Sequence, residues 1–307
     1  MQEKEDLTPS GAIPISAISI IINNNNNNNE VRTATADLPS LHNGRKRVIP
    51  HKEGNWPSHI YTEWHPTAPQ HALLRDLLTS LAAALAPVLE EDRHELTGFL
   101  ESDLGAPLPL HVSLSRPFVL RTGEKDEFLQ DLVTRVEGSG IGRFELVCDA
   151  LDWHRSPGSQ RSFLVLRVRS SSSRAGGGGG KNQELSTLLA RCNDLVASYG
   201  QPTLYAAAAA GSTPRLDGGP GEDREGDIIG GVGVGDAFHI SIAWSFASPS
   251  DEIRRRTAEV FARPEFRDAI AKDINIPVEG VKAKIGNVVT NIALRKGRKG
   301  KGLFGVV

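Results

Sequence analysis

Two short motifs of the form histidine–any residue–serine contain the side chains of this chain that could do chemistry together. His111 and Ser113 lie in the run LPLHVSLSRPFVL, and His239 and Ser241 lie in the run AFHISIAWSF. Apolar and polar residues alternate in both runs, which predicts β-strands in which residues two apart share one face. Each strand therefore presents a histidine and a serine side by side, about 6–7 Å apart.

A pair of histidines is suited to acid–base catalysis near neutral pH, because one ring can accept a proton while the other gives one up. A serine beside each histidine can donate a hydrogen bond to a non-bridging phosphate oxygen. These groups suit RNA cleavage without a metal: the 2′-oxygen, deprotonated by one histidine, attacks the adjacent phosphorus, and the other histidine protonates the departing 5′-oxygen. The product is a 2′,3′-cyclic phosphate, and DNA is expected to be inert because it lacks the nucleophile.

Other interpretations of the two motifs stay open at this point. A single histidine on an apolar strand is most often a core or surface residue whose ring is satisfied by a hydrogen bond. Metal ligation has little support, because no third His, Cys or paired carboxylate lies near either motif in sequence. Nucleophilic catalysis by Ser113 or Ser241 also has little support, since neither lies in a Gly-x-Ser-x-Gly elbow.

The composition limits the partners and the compartment. The net charge is −2, so contact with a nucleic acid must come from local basic patches. The two cysteines, Cys148 and Cys192, exclude a disulfide framework and a cysteine-based zinc site, and we expect both to be buried core residues. The apolar run Ala12–Ile22 contains Pro14, lacks a basic flank and is too short to span a bilayer. We therefore expect an intracellular protein without a membrane anchor.

The rest of the chain predicts the elements that must position the motifs. Helices are expected where apolar residues recur every three or four positions, at Pro69–Leu89, Lys125–Val136, Gln183–Ser198 and about Ser250–Ala262, with a further helical turn or two around Glu265–Asp273. Strands are expected at Asn55–Trp64, Leu108–Leu120, Phe144–Leu151, Ser162–Val168 and Ala237–Phe246, with a closing hairpin of Val281–Ile285 and Val288–Leu294. Alternation along the Ala237–Phe246 strand places Ala243 on the face of His239 and Ser241.

This element order predicts an α+β fold. Each half of the chain is expected to form one lobe, an antiparallel sheet backed by helices, and the two pseudo-symmetric lobes would face a central cleft with one His-x-Ser motif each. Residues 1–43, with the Asn23–Asn29 tract, are expected to be disordered. Residues 44–307 are expected to form one catalytic domain with flexible insertions at 170–180 and 206–235.

Several further segments of the chain resemble one family. The paired motifs are similar to those of the two-histidine phosphoesterase superfamily, and the chain most closely resembles its U6 small nuclear RNA phosphodiesterases. The resemblance runs in order from Gly44 to Leu294 outside the insertions. It includes GNWPSHIY at Gly54–Tyr61, LHVSLSRPFVLR at Leu110–Arg121, RSFLVLRV at Arg161–Val168, PTLY at Pro202–Tyr205, FHISIAW at Phe238–Trp244 and VKAKIGN at Val281–Asn287.

The resemblance implies a 3′-to-5′ exonuclease that trims the oligouridine 3′ end of U6 RNA in the nucleus, as a monomer that needs no cofactor and no metal. It implies that His111 and His239 are catalytic and that Ser113 and Ser241 hold the phosphate. The residues that it places at the nucleotide are Tyr205, Gly235, Asp236, Ala237, Phe238 and Ile240. The chain departs from the family in the long segment Ala206–Gly235, where the family often has a few residues.

Two other functions remain open from the sequence. A cyclic nucleotide phosphodiesterase of the same superfamily would use the same four residues on a small substrate. A non-catalytic RNA-binding module would use the cleft together with the basic tail Arg295–Lys301. The family also includes enzymes that open the cyclic phosphate to a terminal phosphate, and the sequence does not decide between these two products.

Overall fold

The structure of the chain is a computed structural model, and it describes residues 52–89, 94–155, 160–174, 181–205 and 234–296. The strands are β1 (Asn55–Trp64), β2 (Thr97–Gly98), β3 (Leu110–Ser113), β4 (Phe118–Arg121), β5 (Phe144–Arg155), β6 (Ser162–Ser170), β7 (His239–Ser245), β8 (Asn275–Val278), β9 (Gly280–Ile285) and β10 (Val288–Ala293). The helices are α1 (Ala68–Leu89), α2 (Lys125–Glu137), α3 (Gln183–Ser198), the single turn α4 (Val234–Ala237), α5 (Asp251–Phe261) and α6 (Pro264–Asp273). The α+β class and the four predicted helices are confirmed, and the further turn or two predicted around Glu265–Asp273 is the ten-residue helix α6.

Parts of the predicted domain plan fall outside the described residues. Region 1–43 lies there, as do 175–180 and 206–233 of the two predicted insertions. The described ends of those insertions are ordered: Ser170 is the last residue of β6, Ser171–Arg174 forms a 3₁₀ turn, and Gly235 belongs to α4.

All ten strands of the described chain belong to one sheet, with the order β10-β9-β1-β3-β7-β6-β5-β8. Strand β4 pairs with β1, and β2 pairs with β7. The two strands that carry the motifs, β3 and β7, are therefore neighbours in the middle of the sheet.

The two sides of the sheet do not follow the two halves of the chain, which corrects the expectation of one lobe from each half. The hairpin β9–β10 comes from the end of the chain but lies beside β1. Strands β5 and β6 come from the middle of the sequence and precede the second motif. They nevertheless extend the sheet beyond β7, on the side of that second motif. Long-range pairing, which the local pattern does not encode, determines this exchange.

Alternate residues of the central strands point into one hydrophobic core. In β1 the side chains of Ser58, Ile60, Thr62 and Trp64 are buried, whereas the intervening ones are more accessible. The same core cluster contains buried residues of α1, α2, α3, α5 and α6, so helices cover this face. The opposite face of the central strands carries the polar side chains.

Helix α1 is long and apolar enough to cross a membrane by length and composition alone. In the structure, however, its leucines 74, 77, 81, 85 and 89 are buried in the core. Each buried leucine contributes about 1.5–3 kcal/mol relative to an exposed one, which accounts for the apolar stripe without a bilayer.

The predicted strand Leu108–Leu120 is two strands, because the chain breaks between β3 and β4. Both of them pair with β1. At the break the hydroxyl oxygen of Ser115 accepts a hydrogen bond from the Ile60 amide at 2.9 Å, in place of a backbone partner. Pro117 lies in the same gap and has no amide to donate, so the ladder cannot continue through it.

Strand β7 contains a bulge that changes which residues share a face. Ser241 lies opposite Val165 of β6, but Ala243 lies opposite Leu164, so one extra residue of β7 is unpaired between them. Ala243 therefore leaves the face of His239 and is fully buried, contrary to the alternation predicted from the sequence. Trp244, opposite Phe163, lies on the face of His239 instead.

Candidate active site

The two His-x-Ser motifs meet on one face of the sheet. Val112 lies opposite Ile240 in the antiparallel pair β3–β7. One step along this register on either side sets His111 beside Ser241 and Ser113 beside His239, because residues at equal steps in opposite directions pair in an antiparallel ladder. Each histidine therefore has a serine on its own strand and a serine on the neighbouring strand.

His239 is held by one carbonyl oxygen, that of Ala237. This oxygen accepts three hydrogen bonds. The donors are Nδ1–H of His239 at 2.8 Å, the hydroxyl of Tyr205 at 3.2 Å and Nη1 of Arg167 at 3.3 Å. A carbonyl can only accept, so Nδ1 carries the proton and Nε2 of the neutral ring is left as a proton acceptor. Burial lowers the pKa of His239 to about 4, with smaller contributions from the nearby His154, Arg167 and His111.

Tyr205 reaches the site although residues 206–233 separate it from β7. Its hydroxyl oxygen lies 3.5 Å from Nδ1 of His239. The ring is 8% exposed and packs edge-on against Phe238, with ring centroids 5.9 Å apart. Its backbone has φ of +57°, a left-handed conformation that turns the chain into this position. A ring this buried holds His239 in place through its hydroxyl group. It does not offer an open face on which a nucleobase could stack.

The segment 235–240, which was predicted at the nucleotide, contributes mainly backbone to the site face. The side chains of Ala237, Phe238 and Ile240 are buried in the core. Asp236 forms an ion pair with Lys181 at 2.6 Å. A Cβ at Gly235 would lie 2.4 Å from the carbonyl oxygen of Lys181, so only glycine allows this close approach.

Asn182 fastens this segment to the end of β6. Its side-chain amide nitrogen donates to the carbonyl oxygens of Val168 at 2.8 Å and Gly235 at 2.6 Å, and its oxygen accepts from the Ser170 amide at 2.6 Å. The residue is fully buried with φ of +59°, a conformation that asparagine tolerates better than most residues. Asn182 therefore holds the turn whose carbonyl fixes the tautomer of His239.

His111 lies in a different electrostatic setting. It is exposed on the sheet face, opposite Glu63 of β1. The surrounding groups desolvate the ring and lower its pKa, whereas the negative charge of Glu63 opposes that shift. Glu63 itself forms an ion pair with Lys282 of β9. The Glu63 carboxylate beside His111 favours the protonated form of that ring. No carboxylate of the described chain contributes to the pKa shift of His239.

His59 of β1 lies on the same face of the sheet as the first motif. Its Nε2 is 3.2 Å from the hydroxyl oxygen of Ser113, and its ring stacks on Tyr61 and meets His111 edge-on, with centroids 5.3 Å and 5.4 Å away. The Ser115 carbonyl accepts from the ring, and burial lowers the pKa of His59 to about 3. The neutral ring thus accepts from Ser113 and fixes that hydroxyl beside His111.

No motif in the sequence marks His59, Tyr61, Glu63, Arg167 or His154. The first three occupy alternate positions of β1, so its alternation places them on one face, but no motif shows that this face meets His111. Arg167 lies opposite His239 on β6, and the ring of His154 lies 5.4 Å from that of His239. Only the strand pairing identifies these contacts.

Both cysteines are buried, as predicted. Burial raises the pKa of the Cys192 thiol to about 12, so it is not a nucleophile at neutral pH. Among the described residues, no group of three or more His, Cys, Asp and Glu side chains could hold a metal ion.

The buried histidines predict that the fold loses stability in weak acid. Unfolded histidines gain a proton below about pH 6.5, whereas His59 and His239 stay neutral in the folded protein until about pH 3 and 4. The unfolded state therefore binds more protons as the pH falls, and each histidine lowers the free energy of unfolding by up to about 1.4 kcal/mol per pH unit.

Urea unfolding at pH 7.0, 6.0 and 5.0 measures this loss. We expect the free energy of unfolding to fall steadily below pH 6.5, and His59→Gln to reduce the slope by up to half. A free energy that is flat from pH 7 to pH 5 contradicts the assignment of these two rings as neutral and buried.

Comparison with known proteins identifies the class to which this fold and site belong. Residues 22–293 match the family model described as "HVSL: Uncharacterised conserved protein", and the letters HVSL occur here at His111–Leu114. The solved structure of Kluyveromyces marxianus Usb1 with uridine monophosphate covers 78% of this chain and 98% of that one, with a TM-score of 0.50 and 15% identity, and so shares the fold.

Relatives with curated names narrow the class. The U6 snRNA phosphodiesterase 1 of Neurospora crassa is 35% identical over 279 residues, which are 86% of this chain and 70% of that protein. The Drosophila melanogaster protein of the same name is 32% identical over 103 residues, 34% of each chain. The Rattus norvegicus protein is 30% identical over 129 residues, 42% of each. The chain belongs to the U6 snRNA phosphodiesterase 1 family.

Proposed function

We propose that this protein is a 3′-to-5′ RNA exonuclease that trims the oligouridine 3′ end of U6 snRNA. The observation that carries the proposal is the meeting of His111, Ser113, His239 and Ser241 on one face of two neighbouring strands. The names of the relatives, U6 snRNA phosphodiesterase 1, supply the substrate. Such a protein acts in the nucleus, and we propose that it acts as a monomer without a metal or cofactor.

We propose different roles for the two histidines in this reaction, and the difference between their environments supports this. Nε2 of neutral His239 takes the proton of the 2′-hydroxyl on the penultimate nucleotide, because its Nδ1 is already committed to Ala237. The 2′-oxygen forms a bond to the adjacent phosphorus, and the bond from phosphorus to the 5′-oxygen of the last nucleotide breaks. His111 in its protonated form gives its proton to that oxygen; burial lowers the pKa of this ring, and the Glu63 carboxylate partly offsets that shift. The shortened RNA ends in a 2′,3′-cyclic phosphate.

The hydroxyl groups of Ser113 and Ser241 donate to the non-bridging oxygens of the reacting phosphate and hold it in line with the attacking oxygen. A serine hydroxyl has one proton to donate, so Ser113 donates it to Nε2 of His59 at 3.2 Å in the free protein and turns it to the phosphate when RNA binds. Tyr205 positions His239 through the shared carbonyl of Ala237. The backbone of one segment contacts the nucleotide in this proposal. Its residues are Gly235, Asp236, Ala237, Phe238 and Ile240.

The halves of the sheet correspond, in this proposal, to two pseudo-symmetric lobes. Strands β10-β9-β1-β3 form one lobe and β7-β6-β5-β8 the other, which gives four strands on each side of the line between the motifs. The cleft follows that line and receives the RNA end.

An assay in EDTA tests the proposed activity. RNA that is labelled at its 5′ end and carries a 3′ oligouridine tail is incubated with the protein and excess EDTA. We expect stepwise shortening at a rate within about twofold of that in Mg²⁺, because proton transfer between two imidazoles supplies the chemistry. Mass spectrometry of the product distinguishes a 2′,3′-cyclic phosphate from an opened terminal phosphate.

The alternatives give other results in the same assay. A cyclic nucleotide phosphodiesterase leaves the RNA intact and opens a 2′,3′-cyclic mononucleotide. A non-catalytic RNA-binding module retards the RNA in a gel without shortening it. Activity that disappears in EDTA and returns with a divalent cation contradicts the metal-independent mechanism.

A further inference from the structure

Aromatic and arginine side chains form a patch at the far end of β7 from His239. The guanidinium of Arg161 lies over the ring of Trp244. Its Cζ atom is 3.8 Å from the centroid of the Trp244 ring and 5.6 Å from the centroid of the Phe246 ring. The rings of Trp244 and Phe246 meet edge-on at 4.9 Å. Trp244 is almost buried, but Phe246 is 38% exposed, so part of its ring faces solvent.

The patch lies on the same face of the sheet as the catalytic residues. The bulge in β7 sets Trp244 opposite Phe163, in the row of β6 residues that includes Arg167 opposite His239. Without the extra residue, Trp244 would point into the core with Ile240 and Ile242. Ser241 and Phe246 are five residues apart, which is about 16 Å along a strand.

A pocket adjoins Phe246 and adds positive charge. It has a volume of about 400 Å³ and is lined by His94, Arg155, Gln160 and Phe246. The ring of His94 lies 6.4 Å from that of Phe246, and Arg155 donates to the hydroxyl of Ser248 at 2.7 Å. An exposed aromatic ring between two arginines has the composition of a surface that stacks a base and attracts its phosphate.

We propose that Arg161, Trp244, Phe246 and the adjoining pocket form a second nucleotide-binding subsite, which holds the RNA single strand on the 5′ side of the cleaved linkage. The inference rests on the proposed function. Two observations indicate that RNA occupies this subsite: its arginines complement the negative charge of the phosphates, and the patch is continuous with the face that carries the two motifs.

The roles of the two histidines determine which side of the RNA reaches the patch. His239 takes the proton from the penultimate nucleotide, so the remaining RNA leaves the cleft on the side of β7 and β6. The leaving nucleotide lies on the side of His111 and β1. Stacked nucleotides are about 3.4 Å apart along a strand, so about 16 Å corresponds to at most roughly five nucleotides. A dinucleotide therefore cannot reach from the cleft to Phe246, whereas an octanucleotide can.

Substrate length provides the test. The full protein is assayed with the dinucleotide UpU and with octauridylate, in EDTA, as wild type, Phe246→Ala and Phe246→Tyr. Leu104→Ala is the matched control, because Leu104 is also a large apolar side chain and is 96% exposed. Both changed residues are exposed, so the variants are expected to fold, and thermal unfolding checks this.

We expect Phe246→Ala to raise KM for octauridylate about 5- to 100-fold, the range for loss of one stacked base, and to leave kcat/KM for UpU unchanged. Phe246→Tyr retains the ring and is expected to stay within about twofold of wild type, as is Leu104→Ala on both substrates. An equal effect of Phe246→Ala on both substrates, or no effect on either, overturns the subsite.

A binding measurement separates this inference from the proposed activity. Fluorescence anisotropy of labelled octauridylate with His239→Gln, alone and combined with Phe246→Ala, reports binding without turnover. A 5- to 100-fold weaker Kd in the combined variant supports the subsite even if the wild type proves inactive on both substrates, which would refute the proposed activity alone. Equal Kd values for the two proteins overturn the subsite.

Discussion

Replacing His239 with glutamine is expected to lower kcat for trimming of an oligouridine tail by about 10²–10⁴-fold. Glutamine can still donate its amide to the carbonyl of Ala237, but it offers no basic nitrogen to the 2′-hydroxyl. The loss therefore falls on proton transfer and not on the fold. Single-turnover assays with 5′-labelled RNA measure it, and KM is expected to change much less than kcat.

His71→Gln is the matched control for this substitution. His71 is also a partly buried histidine, and its Nε2 contacts the Leu100 carbonyl oxygen at 3.2 Å, away from the sheet face that carries the motifs. We expect this variant to retain wild-type kcat. If His239→Gln trims RNA as fast as His71→Gln, the assignment of His239 as the base is wrong.

A 2′-deoxy sugar at the penultimate nucleotide is expected to block trimming completely. In the proposed mechanism the 2′-oxygen of this nucleotide attacks the phosphorus joining it to the last nucleotide, and no other group replaces it. The substrate keeps its charge, bases and length, so binding should change little. Denaturing gels that resolve single nucleotides measure the block.

The position of the deoxy sugar provides internal controls. A deoxy sugar at the last nucleotide should not slow the first cleavage, since that sugar belongs to the leaving group. A deoxy sugar at the third nucleotide from the end should allow one shortening step and then stop the reaction. Equal trimming of all three RNAs would rule out attack by the 2′-hydroxyl and would favour attack by water.

The sequence was sufficient for the parts of the site that depend on local periodicity. Alternation along a strand places His239 with Ser241, and the leucine spacing of α1 predicts a helix that the structure confirms at Ala68–Leu89. Glycine at 286, predicted to form a hairpin turn, has φ of +59°, and a Cβ there would lie 2.6 Å from the Trp56 ring. Each of these features is determined within a few residues of the chain or by one steric rule.

The rest depended on contacts between distant residues. No pattern within β1 shows that His59 reaches Ser113, because 54 residues separate them and the pairing of β1 with β3 depends on the packed core. The bulge in β7 likewise depends on its partner β6, so alternation alone placed Ala243 on the wrong face and gave no reason to place Trp244 on the catalytic one. Register is a property of the pair of strands and not of either sequence.

The contact between Tyr205 and His239 shows a third kind of limit. The length of the segment between them gives no distance in space, since the free energy of closing a longer loop rises only slowly with its length. The structure places the hydroxyl of Tyr205 on the carbonyl that also holds His239. The family resemblance places Tyr205 at the nucleotide, and its buried ring favours a role in holding His239.

The placement of the β9–β10 hairpin beside β1 has a consequence for synthesis on the ribosome. Strand β1 emerges early, but its neighbour on that side, β9, is made more than 200 residues later. Until then β1 has an unpaired edge on the side away from β3, and such edges promote aggregation during folding. A nascent chain that stops before Gly280 contains all four motif residues and yet lacks β9, which pairs with β1. The first strand to be synthesised therefore gains its last neighbour only when the chain is nearly complete.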